Sequence, residues 1–164
     1  MTHREEPTII LPGHGEFFDF GGFGVGWKIN GADSDGHFSV VHHPIAPFTL
    51  AAPLHRHQNE DEYSYVIEGT LGALLGDDVV EAGPGSWVYK PRNQWHTFWN
   101  AGDTPCRIIE VISPAGFEDY FRQMTQVGGD VQAIIGLNER YDLDMDFDSV
   151  PTLCERFGLR YPEG

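Results

Sequence analysis

Apolar and polar residues alternate along short stretches through the first two thirds of the chain, and turn-forming residues separate the stretches. A period of two with β-branched and aromatic side chains is typical of strands. Many short strands joined by Gly, Pro and Asp turns predict an all-β fold, either a closed barrel or a double sheet. The predicted strands cover residues 25–29 (an edge strand), 38–43 (before Pro44 interrupts), 48–50, 63–67, 70–75, 79–82, 86–90, 95–99 and 106–112.

The hydrophobic period changes to that of helices after residue 113. Ser113 can cap a first helix that has Pro114 in its first position, and Gly128 and Gly129 end it. A weaker helix is predicted over residues 131–140 and a third after Asp148. We expect their apolar stripes to pack against the strands, although the first helix could instead cover the mouth of a cavity. The stripes are Phe117, Tyr120, Phe121 and Met124, and then Val150, Leu153, Cys154 and Phe157.

A cluster of imidazole and carboxylate groups is predicted in the middle of the chain. His55 and His57 lie one residue apart in an extended segment, so they point to the same face. The polar residues 58–61 can reverse the chain, which lets Glu62 open the next strand and face both histidines. Burying such groups would be costly without a bound ligand, which makes a divalent metal site the first hypothesis. Glu60 and Asp61 are interpreted as solvated turn residues.

A second segment, with His96, completes the pattern by which the chain resembles the cupin superfamily over about residues 37–115. The first cupin motif is matched by His55, His57, Glu62 and Gly69, and the second by Gly85, Pro91, His96 and Asn100. Thr49 and Asn93 stand where the family usually has glycine. The resemblance implies a double-stranded β-helix of jelly-roll type in one cupin domain, residues 1–164, with a helical extension over about 114–164. It also implies one metal ion held by His55, His57, Glu62 and His96.

Within that superfamily the chain looks most like small single-domain proteins grouped with quercetin dioxygenases. It shares their Ser-Pro-Ala-Gly-Phe segment, here residues 113–117, and an ending like residues 156–159. The resemblance implies that an enol or phenol oxygen of the substrate binds the metal while Glu62 accepts its proton. The enolate then reacts with dioxygen and a carbon–carbon bond breaks. A non-oxidative isomerase, cyclase or decarboxylase and a ligand-binding protein without catalysis remain alternatives.

The residues around the cluster indicate the metal and the kind of substrate. Without a cysteine among the donors, the set suits Fe, Mn, Ni, Co, Cu or Zn, and a six-coordinate ion would keep two open positions. Ser64 and Val66 share the face of Glu62, and Phe98 shares that of His96. Because no cluster of Lys and Arg lies near the donors, an apolar enolic or phenolic molecule fits better than a phosphosugar. His42 and His43 face opposite sides of their strand and are interpreted as structural or surface residues.

Charge and composition exclude several partners and a membrane span. The net charge of −15 opposes binding to nucleic acid or to anionic membranes. No apolar run reaches the length of a transmembrane helix, and the charged residues 1–7 lack the apolar core of a secretory signal. We therefore expect a cytoplasmic protein. Cys106 and Cys154 form no metal or redox motif, and we expect both to be free.

Aromatic residues on the outer strand faces indicate self-association. Tyr63, Tyr65, Trp95 and Trp99 should point out of the barrel, to pack on the terminal segments or on a dimer mate, while the face on which Trp87 and Tyr89 lie is left open by the pattern. Large exposed aromatics are unusual on a monomer. We therefore expect a homodimer.

Overall fold

A computed structural model describes residues 6–162 of the protein, so most of the charged start that entered the sequence argument, residues 1–5, lies outside the described range. Across residues 6–162 there is no helix of the length and apolar character that a membrane crossing requires. Cys106 and Cys154 are both free, as predicted. The expectation of a single cupin domain over residues 1–164 stays a prediction.

Eleven strands within residues 6–162 form two antiparallel sheets. The six-stranded sheet has the order β1-β2-β3-β10-β5-β8, and the five-stranded sheet has the order β11-β4-β9-β6-β7. This architecture confirms the predicted double-stranded β-helix with short C-terminal helices. The strands are β1 (Phe17–Asp19), β2 (Gly24–Ile29), β3 (Ser39–Ile45), β4 (Leu54–His57), β5 (Asp61–Glu68), β6 (Leu71–Leu75), β7 (Asp78–Ala82), β8 (Trp87–Lys90), β9 (His96–Asn100), β10 (Cys106–Ser113) and β11 (Leu143–Asp146). The α-helices are α1 (Glu118–Val127), α2 (Val131–Arg140) and α3 (Ser149–Phe157).

The core lies between the two sheets and follows directly from the alternation in the sequence. Along β3 and β10 every second residue is buried, and the residues between them are half-buried. Inward side chains such as Val41, Val66 and Ile108 are fully buried. Burial of this kind contributes roughly 1.5–3 kcal/mol for each large aliphatic side chain.

The three helices pack against the barrel as their apolar stripes predict. Phe117 and Tyr120 are buried in the main core. On the outer side of the five-stranded sheet, α3 covers Trp99, whose ring stacks on Phe157 with 4.3 Å between centroids. Gly72 faces Trp99 across the β6–β9 pair, and a Cβ atom there would lie 2.1 Å from the indole Nε1. The close approach of the indole to β6 therefore requires glycine at that position.

The boundary between β10 and α1 differs from the prediction. Ser113 is the last residue of β10, where it pairs with Asp61, and its hydroxyl donates to the His37 carbonyl. It does not cap α1, which begins only at Glu118. The carboxylate of Glu118 instead accepts hydrogen bonds from the backbone N–H groups of Gly31 and Gly116. The predicted Ser113 cap was wrong because the strand ladder continues through that residue.

Two strand predictions near the N-terminal side of the sheet were also wrong. Pro44 does not interrupt β3 but lies inside it, opposite Arg107 of β10. Its ring is accommodated because the neighbouring Gly24 has no side chain; a Cβ atom there would lie 2.7 Å from Pro44 Cγ. The strand β2 is not an edge, since β1 pairs along its outer side.

The outer face of β5 and β8 carries an aromatic patch formed by Tyr63, Tyr65, Trp87 and Tyr89. Tyr63 stacks on Tyr89 at 5.0 Å between centroids, and Tyr65 contacts Trp87 at 4.8 Å. Trp87 is 63% exposed. Trp99 faces out of the barrel and packs on a terminal segment, α3, as predicted; it is therefore buried and does not contribute to the exposed aromatic surface.

Candidate metal centre

The three predicted histidines come together on two neighbouring strands of the five-stranded sheet. His55 and His57 project inward from β4, and His96 of β9 lies directly opposite His55. The Nδ1 atom of His55 donates to the Pro53 carbonyl at 2.8 Å, and that of His96 donates to the Gln94 carbonyl at 2.9 Å. Because a carbonyl can only accept, these bonds leave the Nε2 lone pairs of both rings free to face the cavity.

Glu62 reaches the same point from β5 of the opposite sheet, as the predicted chain reversal requires. Its Oε1 lies 3.4 Å from His57 Nε2, and its Oε2 lies 3.2 Å from His96 Nε2. One donor atom from each of the four residues lies within 4.8 Å of the other three, and all four residues are buried. We refer to His55, His57, Glu62 and His96 as the donor cluster.

The protonation states of the donor cluster suit a divalent cation. Burial lowers the pKa of His55 and of His96, so both imidazoles are neutral. Burial by itself would raise the pKa of Glu62, but the Lys90 ammonium beside it holds that pKa well below its usual value. The lone pair of the neutral His96 Nε2 would therefore face a lone pair of the Glu62 carboxylate, with 3.2 Å between the two atoms. Such an arrangement requires a positive charge between the donors, and deprotonated donors are what metal binding requires.

The buried ring of His57 also indicates that a metal ion fits this site. Neither of its buried ring nitrogens has a hydrogen-bond partner within residues 6–162. A buried unsatisfied polar group costs about 1–3 kcal/mol. With nitrogen and oxygen donors only, the donor cluster can hold a transition metal of the Fe, Mn, Ni, Co, Cu or Zn type.

Lys90 is the charged residue beside the donor cluster that the sequence argument missed. Trp87 and Tyr89 point outward, so Lys90 points into the barrel, where its side chain is 1% exposed. Its Nζ lies 3.2 Å from Glu62 Oε2 and 2.9 Å from Glu110 Oε1. The sequence argument considered only a cluster of Lys and Arg, so it did not anticipate a single ammonium group in contact with a donor.

The buried charges around Lys90 stabilise one another. Burial alone would lower the pKa of Lys90, but Glu110 and Glu62 hold it above its ordinary value. Burial raises the pKa of Glu110 to about 7 despite the opposing effect of Lys90. Ser64 donates to the second oxygen of Glu110 at 2.8 Å. One ammonium is thus shared by two carboxylates, one of which belongs to the donor cluster.

The turn before Glu62 contains a second residue that the sequence argument misjudged. Glu60 is 8% exposed, and its Oε2 lies 3.6 Å from His57 Nδ1. It is therefore a buried neighbour of the donor cluster and not a solvated turn residue. Asp61 is not a turn residue either, because it is the first residue of β5, where it is half-buried and forms an ion pair with Arg92 at 2.9 Å.

A cavity of about 50 Å³ adjoins the donor cluster and has mainly aromatic walls. Phe117, Tyr120 and Phe121 line it, so the start of α1 both packs against the barrel and covers the cavity. His43 also lines it; its Nδ1 donates to the Gly24 carbonyl, and burial lowers its pKa to about 4. His42 faces the other side of β3, as predicted, and His43 has the structural role that was one of the two interpretations, while it also lines the cavity.

Replacing Lys90 by methionine should destabilise the metal-free protein by about 3–5 kcal/mol, because it leaves two buried carboxylates without their shared cation. Urea unfolding measures the loss. A double variant, Lys90→Met with Glu110→Gln, also removes one of the charges and should recover most of the stability. If Lys90→Met unfolded at the same urea concentration as the wild type, the buried ion network would not have the charge state described above.

Comparison with known proteins identifies the domain that contains the donor cluster. Residues 42–112 match the family model of the cupin domain. A tetracenomycin polyketide synthase protein, TcmJ, of Streptomyces glaucescens is 33% identical over 60 residues, which are 37% of this chain and 40% of that protein. The match therefore spans about two fifths of the length of this curated relative.

Solved structures share the fold at low sequence identity. KdgF from Halomonas sp. has a TM-score of 0.60 and 15% identity, covering 68% of this chain and 96% of that one. Streptomyces PAC13, solved with uridine, has a TM-score of 0.56 and 16% identity, covering 70% and 87%. Ectoine synthase from P. lautus has a TM-score of 0.56 and 19% identity, covering 65% and 75%. Residues 42–112 are therefore a cupin domain by the family match, and the two-sheet barrel and the spacing of the two motifs agree with it.

Proposed function

We propose that the protein is a metal-dependent enzyme and that it catalyses dioxygenation of a small enolic or phenolic substrate. His55, His57, Glu62 and His96 would hold one divalent ion. The observation that carries the proposal is the convergence of four buried donor atoms within 4.8 Å beside a cavity with aromatic walls. Four protein ligands leave two positions of a six-coordinate ion for a substrate oxygen and dioxygen.

The chain's own residues supply proton transfer and exclusion of water. A bound ion would lower the pKa of a substrate hydroxyl and, if redox-active, give access to dioxygen. Glu62 is ionised in the buried site and is thus able to accept the hydroxyl proton. Lys90 holds one oxygen of Glu62, which fixes the direction of the carboxylate. Phe98, Phe117 and Phe121 surround the cavity and keep water from the reacting atoms.

The TcmJ match supports an enolic or phenolic substrate. That relative is a polyketide synthase protein, and polyketides are built from ketone groups that enolise. The apolar walls of the cavity in this chain suit the same chemical class.

A second candidate is a non-oxidative isomerase, cyclase or decarboxylase. The ion pairs between Lys90, Glu62 and Glu110 favour it, because a buried set of ionisable groups suits proton transfer without oxygen. Described relatives also carry out reactions other than oxygenation: Pac13 is a nucleoside dehydratase, and another neighbour is an ectoine synthase.

Metal analysis of the purified protein, followed by oxygen consumption with flavonols, catechols and β-diketones, separates these candidates. Bound Fe, Mn, Ni or Cu with oxygen uptake supports dioxygenation. Zinc with turnover under argon supports the non-oxidative reaction. Tight binding without turnover on any metal would contradict both and indicate a ligand-binding cupin.

Replacing His96 by alanine should sharply reduce metal occupancy. Mutation of groups that merely support a ligand costs about 10–100-fold in metal affinity, so loss of a ligand should cost more. Titration with Co²⁺, followed by absorbance, measures the affinity. His42→Ala is the matched control, since His42 lies on the opposite face of β3, and it should bind Co²⁺ like the wild type. Wild-type affinity in His96→Ala would contradict the assignment.

Replacing Glu62 by glutamine should retain much of the metal but abolish turnover. The amide oxygen can still coordinate, whereas the amide cannot accept a proton, and loss of a general base costs about 10²–10⁴-fold in rate. Steady-state kinetics at equal metal content measures kcat. Glu81→Gln on β7 is an exposed control that should keep full activity. An unchanged kcat in Glu62→Gln would exclude the carboxylate as base.

We also infer that the protein is a homodimer that buries the aromatic patch. The patch contains Trp87 and Tyr89, which are 63% and 51% exposed, on a chain whose net charge of −15 otherwise opposes self-association. Trp87→Glu should therefore convert the dimer to a monomer in sedimentation velocity. Val79→Glu, an exposed position on the other sheet, should leave the dimer intact. A monomeric wild type would contradict the inference.

A further inference from the structure

The cavity beside the donor cluster is too small for the proposed substrate class. Its volume of about 50 Å³ holds one or two waters, at about 30 Å³ each. Pockets that enclose organic ligands measure about 300–1,000 Å³. A substrate whose hydroxyl reaches the donor cluster must therefore extend beyond this cavity.

A larger open cleft of about 710 Å³ lies directly outside the cavity, between α2 and the edge formed by β4 and β11. Leu143 and Met145 of β11 line both spaces. In the β4–β11 pair they lie opposite His57 and His55. The cleft therefore approaches the donor cluster to within one strand.

A hydrogen bond also links a residue of the cavity wall to a residue of the cleft wall. Tyr120 lines the cavity and Asn138 lines the cleft. The Tyr120 hydroxyl donates to Asn138 Oδ1 at 2.8 Å. Leu143, Met145 and the bond between Tyr120 and Asn138 thus form the boundary that the two spaces share.

The lining of the cleft suits a neutral aromatic group. Trp95, Ile135 and Phe147 supply apolar surface. Arg56 lies over the Trp95 ring at 5.1 Å, but its charge is compensated by Asp144 at 2.6 Å. Glu139 and Asp142 add further negative charge. An anionic group such as a phosphate or carboxylate would be repelled there.

We propose that cavity and cleft form one extended substrate site, in which the reactive hydroxyl enters the cavity and a neutral aromatic body occupies the cleft. The substrate class is then an enol or phenol with at least two linked or fused rings. This inference rests on the proposed function, since it takes the donor cluster as the reacting end of the site.

Binding of a flavonol and of catechol to the nickel-loaded protein under argon tests the inference without turnover. Calorimetry should show that the flavonol binds at least about tenfold more tightly than catechol, because its second ring system buries further apolar surface. Ile135→Ser should weaken flavonol binding about threefold to tenfold and leave catechol binding unchanged. Val131→Ser is the matched control: Val131 is on the same helix and 61% exposed but does not line the cleft. Nickel content confirms equal metal loading.

A second variant tests the boundary that Leu143 and Met145 form between the cavity and the cleft. Met145→Ala should speed flavonol association in stopped-flow fluorescence, with nickel content unchanged. If catechol binds but Ile135→Ser and Met145→Ala leave the flavonol affinity and association rate at wild-type values, the extended site is overturned while the proposed function stands. If neither compound binds the nickel-loaded protein, the inference and the proposed substrate class both fail.

Discussion

The structure depends on a buried cluster of polar groups that would repel one another, or would lack hydrogen-bond partners, without a cation between them. Neutral imidazole nitrogens from β4 and β9 face a carboxylate from β5 of the opposite sheet. Dry burial of such groups is costly, and a divalent ion at this point would convert that cost into a link between the two sheets. The same interaction would then support both the chemistry and the closure of the barrel.

Lys90 and Glu110 determine the charge of that buried region. With Glu62 ionised and Lys90 protonated, these groups are neutral overall when Glu110 is protonated and carry one net negative charge when it is ionised, and the pKa of Glu110 is about 7. A divalent ion would leave the region with a net positive charge in either case. Since uncompensated buried charge is expensive, the proposed substrate would be favoured by binding as an anion at its reacting end.

The predictions from sequence succeeded where the pattern is local. Strand alternation predicted that His55 and His57 share a face, and the turn predicted that Glu62 faces them. The addition of His96 to the donor cluster came from the resemblance to the second cupin motif. Lys90 was missed because alternation divides the side chains of β8 between two faces but does not show which face points into the barrel. Glu60 and His43 were missed because their burial depends on contacts with distant segments. Pro44 depends likewise on an adjacent glycine in β2.

The segments outside the cupin motifs control access to the donor cluster. The barrel supplies all four donors. Phe117 and the first turn of α1, with Tyr120 and Phe121, contribute to the walls of the cavity, as do Leu143 and Met145 of β11. Because loops and added segments vary more readily than a sheet core, the reaction that a cupin barrel can perform and the molecule that reaches it are set by different parts of the chain. If the proposed function holds, substrate selection would depend largely on residues 114–147, which add to the wall that the barrel itself supplies.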